Sequence, residues 1–214
     1  MRAAAVCLLG LALALSGPSV AVAKKPTKRA SACQKLSKRY ADVATSRKLV
    51  AVVRGSDETG RISACVLPRG KVRTLAAWDD GLGRDWGSIV DTAGTWVLFE
   101  QGHGDQYGGV SRTLTRVEVR HNRRVTLSSY GCMLGWDLAP CPDGTNYGLV
   151  GIAPNGAGAV ALSDFATGTA TLQAFDSAGV FTKLADGVIE ALRVTTTQIN
   201  WRQRGIGHTA PLPE

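Results

Sequence analysis

The sequence predicts an all-β fold built from about four copies of one antiparallel unit. Four short apolar runs begin at residues 49, 96, 159 and 199, and each lies near turn-forming residues. The clearest run is Trp96 to Phe99, which follows the turn sequence Asp91-Thr92-Ala93-Gly94. A short apolar run between turns is typical of a buried strand. Its recurrence predicts a repeated supersecondary unit.

The first two units begin near Tyr40. The predicted strands are, in order, 49–53, 62–67, 71–76, 88–91, 96–100, 113–120 and 124–127. In strand 113–120, Val117 and Val119 alternate with Arg116, Glu118 and Arg120. Successive side chains of a strand point to opposite faces, so we expect the charged face to be in contact with water.

The third and fourth units follow an insertion at 131–144, which contains two cysteines and two prolines. Their predicted strands are 148–153, 159–164, 169–175, 180–184, 189–194, 198–203 and 208–212. Asp176 to Gly179 has the composition of a tight turn between two of these strands. We expect the fourth unit to lack an outer strand.

The burial pattern predicts a radial array of blades. The second strand of each unit is apolar at nearly every position, which indicates that both of its faces are covered, whereas the last strand is more polar. The segments at 91–99 and 175–181 best show the repeated order of small-residue turn, apolar strand, Asp/Gly turn and strand. In this order the chain from Tyr40 to Leu212 resembles secreted bacterial β-propeller-like repeat proteins related to WD40 and TolB-type propellers. The resemblance implies a small β-propeller-like array of about four antiparallel blades that serves as a binding scaffold. The alternative is a β-sandwich.

The N-terminal residues have the layout of an export signal. Residues 1–23 contain one cation, Arg2, then an apolar run from Ala3 to Ser16 and an Ala-x-Ala-like site that ends at Ala23. This run is shorter than the ~20 residues of a membrane-spanning helix. We therefore expect a signal peptide at 1–23, a basic flexible arm at 24–39 and a secreted or cell-envelope domain at 40–214 that does not span a membrane.

The excess positive charge lies in the arm. The net charge is +8, but residues 24–39 carry seven cations and no acid, whereas 40–214 carry 17 Lys and Arg against 17 Asp and Glu. A nucleic-acid-binding domain would carry the excess on its own surface, so we expect no nucleic-acid partner. The arm is either a solvated linker or a contact to an anionic envelope polymer.

Four cysteines remain after the signal: Cys33, Cys65, Cys132 and Cys141. An even number in an exported chain predicts two disulfides, and three pairings are open. Cys132 and Cys141 bracket one short loop, so their pairing costs little chain entropy, and Cys33 with Cys65 then follows by elimination. Zinc-ligand spacing is missing from the sequence.

Acidic and aromatic residues concentrate on two connections that flank the second unit. The candidate ligand-binding residues are Trp78, Asp80, Asp85, Trp86, Glu100, His103, Asp105 and Tyr107. Indole rings stack on sugars and carboxylates accept hydroxyl bonds, so a glycan ligand is one interpretation, and calcium on the Asp79-Asp80-Gly81 loop is another. The plainer interpretation is that the Asp-Gly pairs form turns and the Trp side chains fill interfaces between units.

No nucleophile motif, metal-ligand spacing or other catalytic pattern is present in the sequence. We therefore expect a non-enzymatic scaffold without a cofactor that recognises a protein or envelope ligand through its loops. The alternative is a carbohydrate-binding or carbohydrate-cleaving propeller that uses the loops between residues 78 and 107.

Overall fold

The computed structural model describes residues 43–55, 59–68, 70–79, 85–104, 109–132, 145–164 and 169–214, together with Cys33 and Leu36. Within these ranges the chain is all-β, and its strands form four antiparallel sheets. Each sheet is a meander of strands that are consecutive in the chain.

The first two sheets have four strands each. Sheet A contains β1 (Val43–Ser46), β2 (Leu49–Gly55), β3 (Thr59–Val66) and β4 (Val72–Asp79). Sheet B contains β5 (Trp86–Ala93), β6 (Trp96–Gly104), β7 (Val110–Glu118) and β8 (Arg123–Cys132).

Sheet C has four strands and sheet D has three. Sheet C contains β9 (Thr145–Ile152), β10 (Gly158–Asp164), β11 (Ala170–Phe175) and β12 (Phe181–Gly187). Sheet D contains β13 (Ile189–Val194), β14 (Gln198–Gln203) and β15 (Ile206–Pro211). Among the described residues, the prediction of an all-β chain with four antiparallel units is confirmed, and the fourth unit has three strands there.

The sheets pack face to face in chain order. Leu49 and Ile62 of sheet A share a buried cluster with Val97 and Phe99 of sheet B. The opposite face of β6 presents Trp96 and Leu98, which are buried with residues of sheet C. Side chains alternate along a strand, so β6 is apolar at consecutive positions because both of its faces are covered. Full burial of one Val, Leu or Phe side chain stabilises the fold by about 1.5 to 3 kcal/mol.

Sheet C repeats this arrangement with smaller side chains. Val160 of β10 is buried against sheet B, whereas Ala159 and Ala161 are buried against sheet D, where they meet Ile199 and Leu212. Among the described residues, only one face of sheet D is covered by another sheet. On its other face Arg193 and Arg202 are exposed.

The disulfide lies on the face of sheet A that points away from sheet B. Cys65 stands opposite Val50 in the β2–β3 register and is bonded to Cys33. Cys33, Cys65 and Val50 are all buried. The Cys33–Cys65 pairing predicted from the sequence is therefore present, whereas the Cys132 side chain and Cys141 lie outside the described residues.

Two side chains expected in water are buried. Arg116 of β7 is 0% exposed, and Glu118 on the same face is only 8% exposed. The expectation of a solvated charged face was wrong for these two residues, and sheet C covers the face at Arg116, whereas Arg120, just after β7, is exposed as expected. The alternation itself was predicted correctly, since Val117 and Val119 are buried on the side of sheet A.

Arg116 joins sheets B and C through backbone carbonyls. Its Nη1 donates to the oxygen of Gly156 and, over 2.8 Å, to that of Asp176, and its Nη2 donates to the oxygen of Ser177 over 3.1 Å. Its Cζ lies 5.2 Å from the Trp96 ring centroid and 5.0 Å from that of Phe175. Burial lowers the pKa of Arg116 to about 10 against the opposing charge of Asp176, so the guanidinium stays charged at neutral pH.

The carbonyls that Arg116 binds belong to tight turns. In the turn after β11, Asp176 Oδ1 accepts hydrogen bonds from the backbone amides of Ala178, Gly179 and Val180. These bonds hold the pKa of Asp176 below its ordinary value. The turn predicted at Asp176 to Gly179 thus presents its oxygens to sheet B.

We expect Arg116→Ala to lower the free energy of unfolding by about 3 kcal/mol, because the carbonyl acceptors lose charged donors in a buried interface. Urea unfolding followed by tryptophan fluorescence measures this loss. Arg124→Ala on the exposed surface of β8 is the matched control and should change stability by less than about 0.5 kcal/mol. Equal effects of the two substitutions would show that Arg116 does not hold the sheets together.

Candidate functional site

Four of the predicted site residues lie at one end of sheet B. In the antiparallel β5–β6 register Trp86 stands opposite Gly102 and Ser88 opposite Glu100. This register brings Asp85 and Trp86, at the start of β5, beside Glu100 and His103, near the end of β6. Asp80, Asp105 and Tyr107 lie outside the described residues.

Trp86 lies flat over a glycine. A Cβ added to Gly102 would lie 2.2 Å from Cε2 of the indole, so a larger residue at this position would displace the ring. Arg112 of β7 stands opposite Gly102 on the other side, and its Cζ lies 5.1 Å from the Trp86 ring centroid. A cation at this distance is attracted by the electron-rich face of an indole.

Glu100 lies in the interface between sheets B and C and is 7% exposed. The hydroxyl of Tyr147, on β9, donates to its Oε2. Arg112 Nε lies 3.3 Å from its Oε1, which is an ion contact without hydrogen-bond geometry. Burial of a carboxylate is costly unless the charge is paired, and both neighbours supply that pairing. We call Trp86, Glu100, Arg112 and Tyr147 the Glu100 cluster.

The Tyr147 hydroxyl is kept protonated. Burial, the hydrogen bond to Glu100 and the negative charge of Glu100 all raise the pKa of Tyr147 above its ordinary value of 10.0, and Arg112 opposes them in part. The phenol therefore acts as a hydrogen-bond donor at neutral pH. Its partner Glu100 accepts this bond from a different sheet, so the cluster depends on the packing of sheet B against sheet C.

A second polar contact lies at the same end of sheet B but on its other face. His103 Nδ1 contacts Asp85 Oδ1, and their side chains are 57% and 25% exposed. Side chains alternate along β6, so His103 shares a face with Val97 and Phe99, whereas Glu100 and Gly102 share the face that Trp86 covers. The contact between His103 and Asp85 and the half-buried Trp86 are therefore accessible on opposite faces of this end of sheet B.

Trp78 lies in a different environment. A Cβ added to Gly60 of β3 or to Gly87 of β5 would lie 2.1 Å or 2.6 Å from its indole ring. The ring is 9% exposed and belongs to the cluster between sheets A and B. Trp78 thus fills an interface between units, on the opposite side of sheet B from Trp86.

In the part of the chain that the structure describes, no three His, Cys, Asp or Glu side chains lie close enough together to hold a metal ion. Asp80 and Gly81 of the proposed calcium loop fall outside that part, so calcium binding there stays a prediction. Among the described residues, no helix could cross a membrane.

Sequence reasoning missed Arg112 and Tyr147. Pairing of β6 with β7 would have pointed to Arg112. Glu100 stands opposite Leu114 in this register, and Arg112 lies two residues from Leu114 on the same face. No local pattern points to Tyr147, because only the stacking of two sheets brings it to Glu100.

No known family model matches this chain, and no curated protein is significantly similar to it. The site must therefore be interpreted from its own geometry.

We expect Tyr147→Phe to reduce stability by about 2 kcal/mol at pH 8, because a hydrogen bond to a charged carboxylate is lost. The raised folded pKa means that this contribution is complete below pH 10.0 and is lost as pH rises above it. The difference between wild type and variant in free energy of unfolding should therefore shrink above pH 10.0.

Urea unfolding at pH 8 and at about pH 11, where an ordinary tyrosine is ionised, tests this. Glu100→Gln is the control, because it keeps an acceptor for the phenol but removes the charge, so its Tyr147 should titrate at lower pH. If the difference in free energy of unfolding between wild type and Tyr147→Phe does not vary with pH, the stabilising hydrogen bond from the Tyr147 hydroxyl to Glu100 is contradicted.

Proposed function

We propose that this chain forms a β-propeller-like array and serves as an exported, non-enzymatic scaffold that binds a protein or cell-envelope ligand. The architecture is supported by meander sheets that stack face to face in chain order. It is also supported by contacts between the first strands of successive sheets, β1 with β5, β5 with β9 and β9 with β13. First strands that line a common centre are expected of blades arranged around an axis.

The binding site that we propose is the Glu100 cluster together with Asp85 and His103. The observation that carries this proposal is the contact of the Trp86 indole with the Arg112 guanidinium at one end of sheet B, with the contact between His103 and Asp85 at the same end on the other face. Aromatic and arginine side chains are enriched among the residues that dominate binding energy at interfaces. Here both are fixed by strand pairing, so little conformational entropy would be lost when a ligand binds.

The contacts of Glu100 favour binding over catalysis. A general acid or base must be able to exchange a proton with the substrate. The carboxylate of Glu100 is instead held by Tyr147 and Arg112 inside an interface between sheets. We therefore assign Glu100 to the positioning of Arg112 and Trp86.

The alternative function is recognition or cleavage of carbohydrate at the same place. It is favoured by the half-buried indole of Trp86, which lies on the same face of sheet B as the Glu100 carboxylate, because an indole can stack on a sugar and a carboxylate can accept hydroxyl bonds. Binding on a glycan array that Trp86→Ala abolishes, with release of reducing sugar from a bound glycan, would favour this alternative.

We also propose that the protein works outside the cytoplasm, with residues 1–23 removed and the basic arm 24–39 in contact with anionic envelope polymers. The Cys33–Cys65 disulfide supports an oxidising compartment. The mature protein recovered outside the cytoplasm should begin at Lys24, as measured by N-terminal sequencing and intact mass. Recovery of a chain that retains Met1 in the cytoplasmic fraction would overturn the proposal.

The binding proposal is tested by co-sedimentation of purified protein with isolated cell envelopes of the producing organism. Arg112→Ala should weaken binding by about fivefold or more, the effect of losing an interfacial contact that contributes over 1 kcal/mol. Arg124→Ala, an equal change on the exposed surface of β8, should leave binding unchanged.

His103→Ala is a second site variant. It changes an exposed side chain, so it should fold even if Arg112→Ala does not, and it should also weaken binding. If wild type and both site variants sediment equally, the ligand binds elsewhere on the protein. If wild type does not sediment, the proposed envelope ligand does not exist.

A further inference from the structure

The last strand of the chain has an open edge. Sheets A, B and C each have four strands, whereas sheet D ends with β15, which pairs with β14 on one side. Four consecutive residues, Ile206 to Thr209, are exposed, and Ile206 is 63% exposed. Within the described part of the chain, no strand is paired with the other side of β15.

Two residues of β15 direct their backbone groups toward this edge. Arg204 and Gly205 both have positive φ, 52° and 76°, as expected of a two-residue hairpin turn, which makes Gln203 and Ile206 a hydrogen-bonded pair. Hydrogen-bonded and non-bonded pairs alternate along an antiparallel ladder, so Gly207 and Thr209 are not bonded to β14. Their N–H and C=O groups therefore point outward, whereas Pro211 offers only a carbonyl.

Apart from Pro211 at its end, β15 lacks the residues that commonly protect an edge strand. Native proteins commonly place charged residues on edge strands to prevent pairing with other chains. The last strands of the other sheets follow that rule, with Arg73 on β4, Arg123 and Arg124 on β8, and Lys183 on β12. The sequence of β15, Ile-Gly-His-Thr-Ala-Pro, contains no Lys, Arg, Asp or Glu.

A positively charged surface adjoins the edge. Arg202 stands opposite Gly207, and Arg193 stands opposite Asn200, on the exposed outer face of sheet D. Gly207 has no side chain and nothing lies within 4 Å of the position of its Cβ, so Arg202 has free access across β15. Both arginines line a concavity of about 480 Å³ on this face.

The arginines are not neutralised by sheet D itself. Between residues 189 and 211 the only acid in the sequence is Glu190, whose carboxylate oxygens accept from the amide of Gly205 at 3.1 Å. No ion pair of Arg193 or Arg202 is found among the described residues.

We propose that β15 is a strand-addition site that takes an extended acidic segment of a partner protein as the fourth strand of sheet D. The partner backbone pairs with the outward N–H and C=O groups of Gly207 and Thr209. Its alternate side chains lie on the outer face, where carboxylates reach Arg202 across Gly207, and Arg193 on β13 adds positive charge to the same face. Main-chain pairing supplies affinity, and the arginines select for acidic sequence.

Charge argues against two other occupants. The arm at 24–39 carries seven cations and no acid, so it would be repelled by Arg193 and Arg202. A second copy that paired its own β15 antiparallel to this one would form a continuous sheet with both outer faces on the same side. That arrangement would place the arginines of both copies on one face.

The test uses the full chain and two capped ten-residue peptides, one alternating Thr and Glu and the other alternating Thr and Lys. Hydrogen exchange of residues 206–211, followed by mass spectrometry, reports strand pairing, and fluorescence anisotropy of labelled peptide reports affinity. The Thr-Glu peptide should slow exchange in β15, and the Thr-Lys peptide should not. Arg202→Glu should weaken binding about fivefold, the upper range for one exposed ion pair, whereas Arg124→Glu on β8 should not.

A matched pair of variants tests the backbone. The N–H of Thr209 points outward and makes no ladder bond to β14. Thr209→Pro removes this N–H and should abolish peptide binding, whereas Thr209→Val keeps it and should retain peptide binding. Both lose the hydroxyl bond to Asn200, so that loss cancels in the comparison.

Three outcomes would overturn the proposal. Unchanged exchange with the Thr-Glu peptide, or equal slowing by both peptides, would mean that acidic strand addition does not occur. Slow exchange that increases with protein concentration in the absence of peptide would assign the edge to a second copy. Slow exchange at every concentration without peptide would mean that the chain covers its own edge.

Discussion

The structure depends on the burial of both faces of the second strand in the central sheets. β6 contributes Val97 and Phe99 to one interface and Trp96 and Leu98 to the next. A strand that is apolar on both faces is stable only between two layers, so sheet B requires sheets A and C. The same requirement at β10 adds sheet D. The connections from β4 to β5 and from β12 to β13 span six residues and one residue, which keeps those sequential sheets adjacent.

The polar contacts between sheets B and C explain how this apolar stack fixes particular orientations. Arg116 binds carbonyls of two turns in sheet C, Asp91 Oδ2 accepts from the Ile152 amide at 3.2 Å, and Glu100 accepts from Tyr147. Hydrophobic burial has no directional preference, whereas each of these bonds requires one alignment of the two sheets. The site that we propose for ligand binding shares its central residue, Glu100, with this set. In our proposal, stability and recognition are therefore coupled at the interface between sheets B and C.

Sheet D differs from the other sheets because it ends the stack. Its covered face carries Ile199 and Leu212, and its outer face carries arginines that no described acid neutralises. The polar outer face of sheet D needs no further layer, and within the described residues no strand pairs with the outward backbone groups of Gly207 and Thr209. In our proposal, this edge beside a polar face suits reversible pairing with another chain better than permanent burial.

The sequence alone determined the number of sheets, their order and most strand positions, because alternation, turn residues and apolar runs act over a few neighbouring positions. It did not reveal β1, whose four residues become a strand by pairing with β2. It also placed Asp85, Trp86, Glu100 and His103 near one another through the two connections of one unit. Only the tertiary structure decided that Arg116 is buried and that Tyr147 meets Glu100, since those contacts join residues 40 to 61 positions apart on different sheets. Packing between layers determines such contacts, and no local pattern encodes it.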